Sequence, residues 1–316
     1  MIDILKLCRA VFLLFCLIIP GFIMKKTKLA DDKTPLAFSN AVLYITQPAL
    51  LFVGFFRPYD KGIMSGAIAV FIFTFVVHAM FLLTVIFFFK KAPKETAKVY
   101  RFGSVFANAG YMGIPLITMI FDADAAIYAS VYVIGFNFFC WSLGCLIYSE
   151  DKSYISVRKM LLNAATIPTI LGIIVFVTDL YSHIPAAASS FVADVLTMLK
   201  DTVAPMSMMI IGMRLADLNL KGAFKDVYLY LGLSLRLVIF PAMVFVVLLF
   251  CKTLGFYNEI AFAVTLICSA TPAASATCMF AEKFSSDSVT ASKFVSISTI
   301  LSLATMPLMV MLLKLL

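Results

Sequence analysis

The chain has 316 residues, of which 63% are hydrophobic and 13% are charged. Since about a quarter of the residues of a soluble domain are charged, this composition excludes an ordinary soluble fold and predicts a multi-pass protein of the cell membrane. The formal net charge of +8 comes from basic residues in short clusters between apolar runs, a placement that is typical of membrane topology and argues against nucleic acid as a partner.

Apolar runs of about 20 residues follow one another along the chain, and each can cross a hydrocarbon core of about 30 Å as a helix. The predicted helices are 5–24, 36–56, 63–89, 102–121, 125–148, 160–179, 194–213, 227–250, 259–281 and 291–314. The first is interpreted as a retained helix, because no small-residue cleavage site follows it. The cysteines are scattered without a CxxC pair, so we predict no disulfide framework, no metal site and no cofactor.

The loops between these helices differ in charge. Those after odd-numbered helices hold most of the lysines and arginines, including Arg214 after helix 7, whereas those after even-numbered helices hold only Arg57, Lys61 and Lys252. By the positive-inside rule the odd-numbered loops are cytoplasmic. Both termini are then predicted outside the cell, in the extracellular or periplasmic space.

Prolines within the apolar runs indicate a duplication. Pro48 of helix 2 and Pro205 of helix 7 are separated by the same interval as Pro115 of helix 4 and Pro272 of helix 9, about half of the chain. An odd number of helices per unit inserts the second copy upside down, an arrangement common in secondary transporters. The two predicted five-helix repeats are residues 1–157 and 158–316.

Helices 4 and 9 each carry residues that interrupt a helix midway. Gly110, Gly113 and Pro115 fall together in helix 4, and Thr271 precedes Pro272 in helix 9. Proline disrupts the hydrogen-bond ladder, so we predict two broken helices that cross near the bilayer midplane, although a single membrane proline more often only kinks its helix. Each break exposes unpaired N–H groups and about half a positive charge, which predicts an anion site at the helix starts after Pro115 and Pro272.

The same segments carry no carboxylates, since 102–121, 125–149 and 260–281 contain neither Asp nor Glu. A proton or sodium site at crossed helices needs an acidic side chain, so this pattern favours an anionic substrate held by helix dipoles and neutral donors. The candidate substrate-binding residues are Ser104, Asn108, Gly113, Pro115, Asn137, Thr271, Pro272 and Ser275.

These polar residues also have structural interpretations that the sequence leaves open. An asparagine in a membrane helix can hydrogen-bond a neighbouring helix, and serine and threonine often bond their own backbone. Four ionisable residues inside the predicted helices are candidates for coupling or gating. They are His78 of helix 3, Lys200 and Asp201 two turns into helix 7, and Arg236 of helix 8. Their alternatives are a neutral, hydrogen-bonded histidine, a lysine–aspartate pair, and an arginine that pairs or snorkels.

Two segments resemble a known family. Residues 108–116 (NAGYMGIPL) are similar to a signature of the auxin efflux carrier family, and residues 272–284 (PAASATCMFAEKF) are similar to its second crossover. The family includes plant auxin exporters and bacterial carboxylate carriers, and the resemblance extends over all ten predicted helices. Weaker similarities lie around Asn163, Asp201 and Arg236.

The resemblance implies an all-α membrane fold of ten helices with broken crossover helices 4 and 9, like that of sodium–proton antiporters and bile-acid symporters. It implies a dimerising scaffold of helices 1, 2, 6 and 7, and a transport unit of helices 3–5 and 8–10 that moves like an elevator. Asn108 matches an asparagine that lines the family's substrate site, and Asp201 matches a family aspartate. Two departures are Ala164, where the family often has proline, and a short loop between helices 5 and 6, which is like that of bacterial members.

We therefore expect a secondary transporter, and not an enzyme, that moves a small organic anion across the cell membrane. The substrate would be a carboxylate such as malonate or malate, or an auxin-like acid. The expected partners are the lipid bilayer and a second copy of the chain. An anion channel and an intramembrane enzyme are the alternatives, and the absence of HExxH and G-x-S-x-G motifs disfavours the enzyme.

Overall fold

The structure, a computed structural model, describes residues 4–121, 123–155, 158, 162–217 and 225–315. Within these residues the chain is helical, and its only extended pairing is one isolated β-bridge. In chain order the helices are α1 (Ile4–Cys16, continued by Ile18–Lys26), α2 (Thr34–Val53), α3 (Lys61–Val85), α4a (Lys94–Val105), α4b (Ala109–Ile120), α5 (Ala123–Phe139, continued by Cys140–Gly144 and Cys145–Ser149), α6 (Thr166–Val177), α7a (Ala186–Asp201), α7b (Val203–Ala216), α8 (Val227–Thr253), α9a (Glu259–Ala270), α9b (Ala276–Lys283) and α10 (Ser288–Met311). The letters a and b denote the two parts of one helix.

Seven helices of the described chain are long and apolar enough to cross a membrane. The apolar helices α4b, α6 and α9a are shorter. The prediction of an all-helical, multi-pass membrane protein is confirmed. The predicted helices 102–121, 160–179 and 259–281 do not appear at full length, and residues 160 and 161 lie outside the described ranges.

The helix formed by α7a and α7b is longer than the sequence predicts. It spans Ala186–Ala216 with a joint at Thr202, against a predicted range of 194–213. Its first turns consist largely of alanine and serine, which contribute little hydropathy although alanine is the best helix former. Lys200 and Asp201 therefore lie about 21 Å from the helix start at 1.5 Å per residue, and the prediction that they lie two turns into it is wrong.

Ion pairs connect the loops that follow odd-numbered helices. Lys25, at the end of α1, lies 2.5 Å from Asp32 and 3.3 Å from Asp217, which follows α7b. Lys94, at the start of α4a, lies 2.5 Å from Glu150, which follows α5. These contacts bring the loops after α1 and α7b together, and likewise those after α3 and α5.

Two further hydrogen bonds extend this assignment of loops to faces. The Tyr100 hydroxyl of α4a donates to Asp226 before α8 at 2.6 Å, which joins the two pairs of loops on one face. At the other end of α2, the Tyr59 N–H donates to Asp179 after α6 at 3.0 Å. This hydrogen bond places the loops after α2 and α6 together on the opposite face. The Tyr59 N–H and the Ser182 hydroxyl both donate to the Asp179 carboxylate and lower its pKa.

The helices α1 and α7b pack at backbone distance. A Cβ atom added to Gly21 would overlap the carbonyl oxygen of Met209, and one added to Gly212 would overlap that of Ile18. Small residues that allow two backbones to approach are the usual basis of tight helix pairs in membranes.

The other helices form two sets of neighbours. α9a packs on α3, α5, α8 and α10, and α4a packs on α8 and α10. α2 packs on α6 and α7a, next to the α1–α7b pair. The two sets meet in several places, which include the contacts of α1 with α10, of α5 with α6, and of α4b with α1 and α7b. The interrupted part of α4 therefore lies at their boundary.

Candidate functional site

The two predicted interruptions are present, and they cross. The chain leaves the helical conformation at residues 106–108, between α4a and α4b, and at residues 271–275, between α9a and α9b. Ala107 and Ala273 form an isolated antiparallel bridge at that point. Both are at most 1% exposed, so the crossing lies within the protein.

Two backbone hydrogen bonds fasten the crossing. The Asn108 N–H donates to the Pro272 carbonyl at 2.8 Å, and the Ala274 N–H donates to the Phe106 carbonyl at 2.9 Å. Backbone that leaves a helix at membrane depth needs such partners, because lipid offers none. Each interrupted segment therefore supplies hydrogen-bond partners for the backbone of the other.

The interruption of α4 lies at residues 106–108, and the prediction that it lies around Gly113 and Pro115 is wrong. Pro115 sits in the first turn of an α-helix that directly follows a wide π turn, Ala109–Gly113. That turn bonds residues five apart, as the Gly113 N–H does with the Asn108 carbonyl at 3.2 Å. A wide turn relieves the clash between a proline ring and the preceding turn, so the helix continues through Pro115.

Two helix starts consequently meet at the crossing, those of α4b and α9b. The first N–H groups of a helix lack partners within it and carry a partial positive charge. Asn108 directly precedes α4b and is 5% exposed, and its side-chain Nδ2 has no hydrogen-bond partner within the described residues. Asn108 therefore lies beside a helix start with an unpaired donor, and its role in substrate binding stays a prediction.

Gln47 of α2 adds a second incompletely bonded amide that the sequence analysis missed. It is 4% exposed, and its Oε1 has no partner in the described chain. Its Nε2 lies 2.9 Å from where a Cβ of Gly110 would stand, so the amide faces the first turn of α4b. Gln47 precedes Pro48, but nothing in that dipeptide predicts which helix it faces.

Arg214 was also missed, because it was counted as a loop residue. α7b extends to Ala216 and includes it. Its guanidinium lies close enough to Cys278 in α9b and to Tyr111 in α4b for electrostatic interaction with both side chains. Its Nε has no partner among the described residues. A permanent positive charge therefore lies next to both helix starts.

The other candidate substrate residues occupy different positions. Gly113 and Thr271 are neighbours, since a Cβ at Gly113 would lie 3.5 Å from the Thr271 methyl, but the Thr271 hydroxyl donates to the Cys268 carbonyl at 2.8 Å. Ser275 is half-buried at the start of α9b and makes no side-chain cap bond. Asn137 is half-buried on α5, and the described structure gives its side chain no hydrogen bond.

Pro115 lines a separate cavity of about 310 Å³ between α2, α4b and α7. Lys200 and Asp201 both line this cavity, and the Lys200 Nζ lies 3.8 Å from the Asp201 Oδ1. The lysine–aspartate pair that the sequence left open as a structural interpretation is therefore present. The cavity is lined by Leu50, Pro115, Thr118, Met119, Lys200, Asp201, Val203 and Ala204. A coupling role for the pair stays a prediction.

His78 is buried in α3 beneath the crossing. Its Nδ1 donates to the Thr74 carbonyl at 2.8 Å, whereas its Nε2 is buried without a partner in the described part of the chain. It is enclosed by the rings of Phe81, Phe106, Tyr132, Phe136 and Phe139. His78 is therefore hydrogen-bonded, as its structural interpretation predicts. A role of His78 in coupling stays a prediction.

Arg236 of α8 neither snorkels nor forms an ion pair with a described carboxylate. It is completely buried and donates to the carbonyls of Ser104 at 3.0 Å and Val105 at 2.9 Å. It also donates to the Ser269 carbonyl. Because these carbonyls belong to the last turns of α4a and α9a, one guanidinium connects the C-terminal ends of both half-helices.

Two comparisons with known proteins indicate the class to which this chain belongs. Residues 7–159 and 151–310 match a family described as "Membrane transport protein". The chain is also 22% identical over 297 residues to an uncharacterized transporter of Methanothermobacter thermautotrophicus, an alignment that covers 92% of this chain and 93% of the relative. Both indicate a membrane transporter and not an enzyme.

Proposed function

This chain belongs to the membrane transport protein family, which is the auxin efflux carrier family that its motifs resemble, and we propose that it is a secondary transporter. The proposed substrates are small organic anions. The substrate class is a carboxylate such as malonate or malate, or an auxin-like acid. The observation that carries the proposal is the meeting of two helix starts beside Asn108 and Arg214.

A carboxylate matches the chemistry of this site. The starts of α4b and α9b supply N–H groups and positive dipole ends, which bind anions. The Asn108 amide supplies a further donor, and Arg214 supplies a planar guanidinium that can hold both carboxylate oxygens. The Oε1 of Gln47 is buried without a partner in the described chain and can accept a hydrogen bond from a substrate hydroxyl. This would favour a hydroxy acid such as malate over an inorganic anion.

We propose that the ten predicted membrane passages form two inverted five-helix repeats. Each half of the chain supplies one interrupted helix, and the two interruptions pair antiparallel at Ala107 and Ala273. The loops after α1, α3, α5 and α7 lie on one face, and those after α2 and α6 lie on the other. When helices alternate in direction in this way, a repeat of five helices places its second copy upside down in the membrane.

The proposed transport step is an elevator movement of α3–α5 and α8–α10 against α1, α2, α6 and α7. The packing supports this division, since α4a and α9a are surrounded by the first set and the Gly21–Gly212 contact lies inside the second. In a homodimer the second set forms the interface. Its helix α7a exposes large apolar side chains, among them Phe191 and Met198.

Counterflow in vesicles tests the transport function. The purified protein is reconstituted with unlabelled malonate, malate or an indole carboxylic acid inside, and the entry of the labelled acid is measured. We expect transient accumulation of at least one acid above its external concentration, because a carrier exchanges substrate across the membrane. Entry that does not saturate and shows no counterflow would indicate a channel and contradict the proposal.

The site is tested by Asn108→Ala. Removal of a donor to a charged substrate costs about 1.5–3 kcal/mol, so we expect the KM for the transported acid to rise about tenfold or more. The matched control is Asn40→Ala on the exposed surface of α2, which should leave the KM unchanged. An unchanged KM in a normally expressed Asn108→Ala variant would remove Asn108 from the site.

A further inference from the structure

The C-terminal ends of α4a and α9a form a cage of backbone carbonyls, and Arg236 fills it. We propose that this guanidinium takes the place of a bound monovalent cation, so that the crossing is complete without Na⁺ or K⁺. Removal of the side chain would then create a cation-binding site. The inference concerns the crossing itself and stands whichever anion is carried.

The first argument is the chemistry of the cage. The last carbonyls of a helix have no partners within it and carry a partial negative charge. Two such ends converge here, and Arg236 bonds the carbonyls of Ser104, Val105 and Ser269. Half-helix C-terminal ends and unwound carbonyls are the groups that hold Na⁺ in carriers built from broken helices, so the ligand set is that of a cation site.

The second argument is the complete burial of the guanidinium. Arg236 has no exposed surface, and the helices that cross here contain no carboxylate within 102–121 or 260–281. A buried charge is tolerated only when other groups compensate it. The carbonyls are that compensation, and they in turn would be left unpaired without the guanidinium.

The third argument is the surroundings of the cage, which suit a cation. The Phe81 ring lies 5.7 Å from the Arg236 guanidinium carbon, within range of a cation–π interaction. The His78 Nε2 and the Tyr132 hydroxyl are buried nearby without partners in the described chain, and the two rings lie 5.7 Å apart. An aromatic face and two unpaired polar atoms therefore lie close to the guanidinium.

A covalently attached cation behaves differently from a bound one. An arginine stays protonated at any physiological pH and cannot dissociate. The positive charge therefore remains at the crossing when the anion site is empty and when it is full. A carrier of this kind is expected to function equally well in sodium, potassium and choline buffers.

Thermal unfolding of the purified protein tests the inference without any substrate. Wild type and Arg236→Ala are compared in choline chloride, and choline is then replaced by NaCl, KCl or guanidinium chloride at millimolar concentration and constant ionic strength. We expect Arg236→Ala to lose about 5–10 °C in Tm in choline. A small cation should restore several degrees saturably, because binding to the folded state raises Tm by mass action.

Two controls separate a cation site from a general salt effect. Wild type and Arg101→Ala, in which the lost arginine bonds a single loop carbonyl at 3.3 Å, should show no saturable response. An equal response in all three proteins, or no recovery of Arg236→Ala by any cation, would overturn the proposal. A saturable rise of the wild-type Tm with Na⁺ would also overturn it.

A second pair of variants covers the case in which Arg236→Ala does not fold. Arg236→Lys keeps a positive charge at the cage, whereas Arg236→Met replaces it with an uncharged side chain of similar length. We expect the lysine variant to retain at least twice as much folded protein after mild heating as the methionine variant. Equal loss in both would show that the arginine acts through its shape, and would contradict the inference.

Discussion

At the scale of single residues, the crossing is marked by polar side chains that are buried and incompletely bonded. Asn108 and Gln47 are both more than nine-tenths buried, and each keeps one polar atom without a partner in the described structure. A buried polar group without a hydrogen bond costs about 1–3 kcal/mol. This cost is removed where water or a ligand supplies the missing hydrogen bond. In the proposed transport function, the bound substrate supplies it.

Arg214 is predicted to contribute the charge that binds the substrate carboxylate. Arg214→Ala should raise the KM about tenfold or more, because charge-assisted hydrogen bonds contribute about 1.5–3 kcal/mol. Arg214→Lys should recover part of the loss, since an ammonium keeps the charge but not the planar pair of donors. Uptake kinetics of the transported acid in vesicles measure both.

The control for this prediction is Arg101→Ala, because Arg101 lies in α4a and bonds the Phe88 carbonyl, away from both helix starts. Its KM should equal that of wild type. A similar rise of the KM in Arg101→Ala and Arg214→Ala would show that arginine loss acts through the fold, and Arg214 would then not be a substrate contact.

At the scale of elements, π turns explain why prolines alone did not locate the interruption of α4. Among the described residues, three such turns end two residues before a proline. They are 42–46 before Pro48, 109–113 before Pro115 and 235–239 before Pro241. Proline lacks an N–H group and its ring clashes with the carbonyl four residues earlier. A wide turn accommodates both effects, so α4b continues through Pro115. The interruption of α4 lies instead where Ala107 pairs with Ala273 of the other crossing segment.

The α1–α7b pair gives a prediction at this scale. Gly212→Ala should destabilise the protein, because the added methyl group overlaps the Ile18 carbonyl and the two backbones must separate. Overpacking costs about 1–3 kcal/mol, which corresponds to a fall in Tm of several degrees. Gly54→Ala is the control, since the nearest atom to its added Cβ is 3.4 Å away. An equal Tm in both variants would contradict the close packing.

At the scale of the whole molecule, loops far apart in sequence share a face. The ion pair between Lys25 and Asp217 and the hydrogen bond between Tyr59 and Asp179 lie at opposite ends of α2. By the positive-inside rule we propose that the lysine-rich face is cytoplasmic. The structure fixes which loops lie together, and the distribution of lysine and arginine gives the proposed direction.

Cysteine labelling of intact cells tests that direction. In a variant whose native cysteines are replaced by serine, Lys28→Cys in the loop after α1 and Lys61→Cys at the start of α3 are both exposed. A membrane-impermeant maleimide should label Lys61→Cys at once and Lys28→Cys only after lysis. The reverse pattern would place the termini in the cytoplasm and contradict the proposed orientation.

The sequence by itself determined that this protein is helical and membrane-spanning, that helices 4 and 9 are interrupted, and that their crossing has no carboxylate. These properties are local sums of hydropathy, helix-breaking residues and charge. Only the tertiary structure decided that α4 breaks at residues 106–108, that Arg236 bonds three carbonyls, and that Gln47 and Arg214 lie near the helix starts. The physical reason is that each of these depends on which side of a helix meets a segment many residues away, and a local pattern contains no information about that partner.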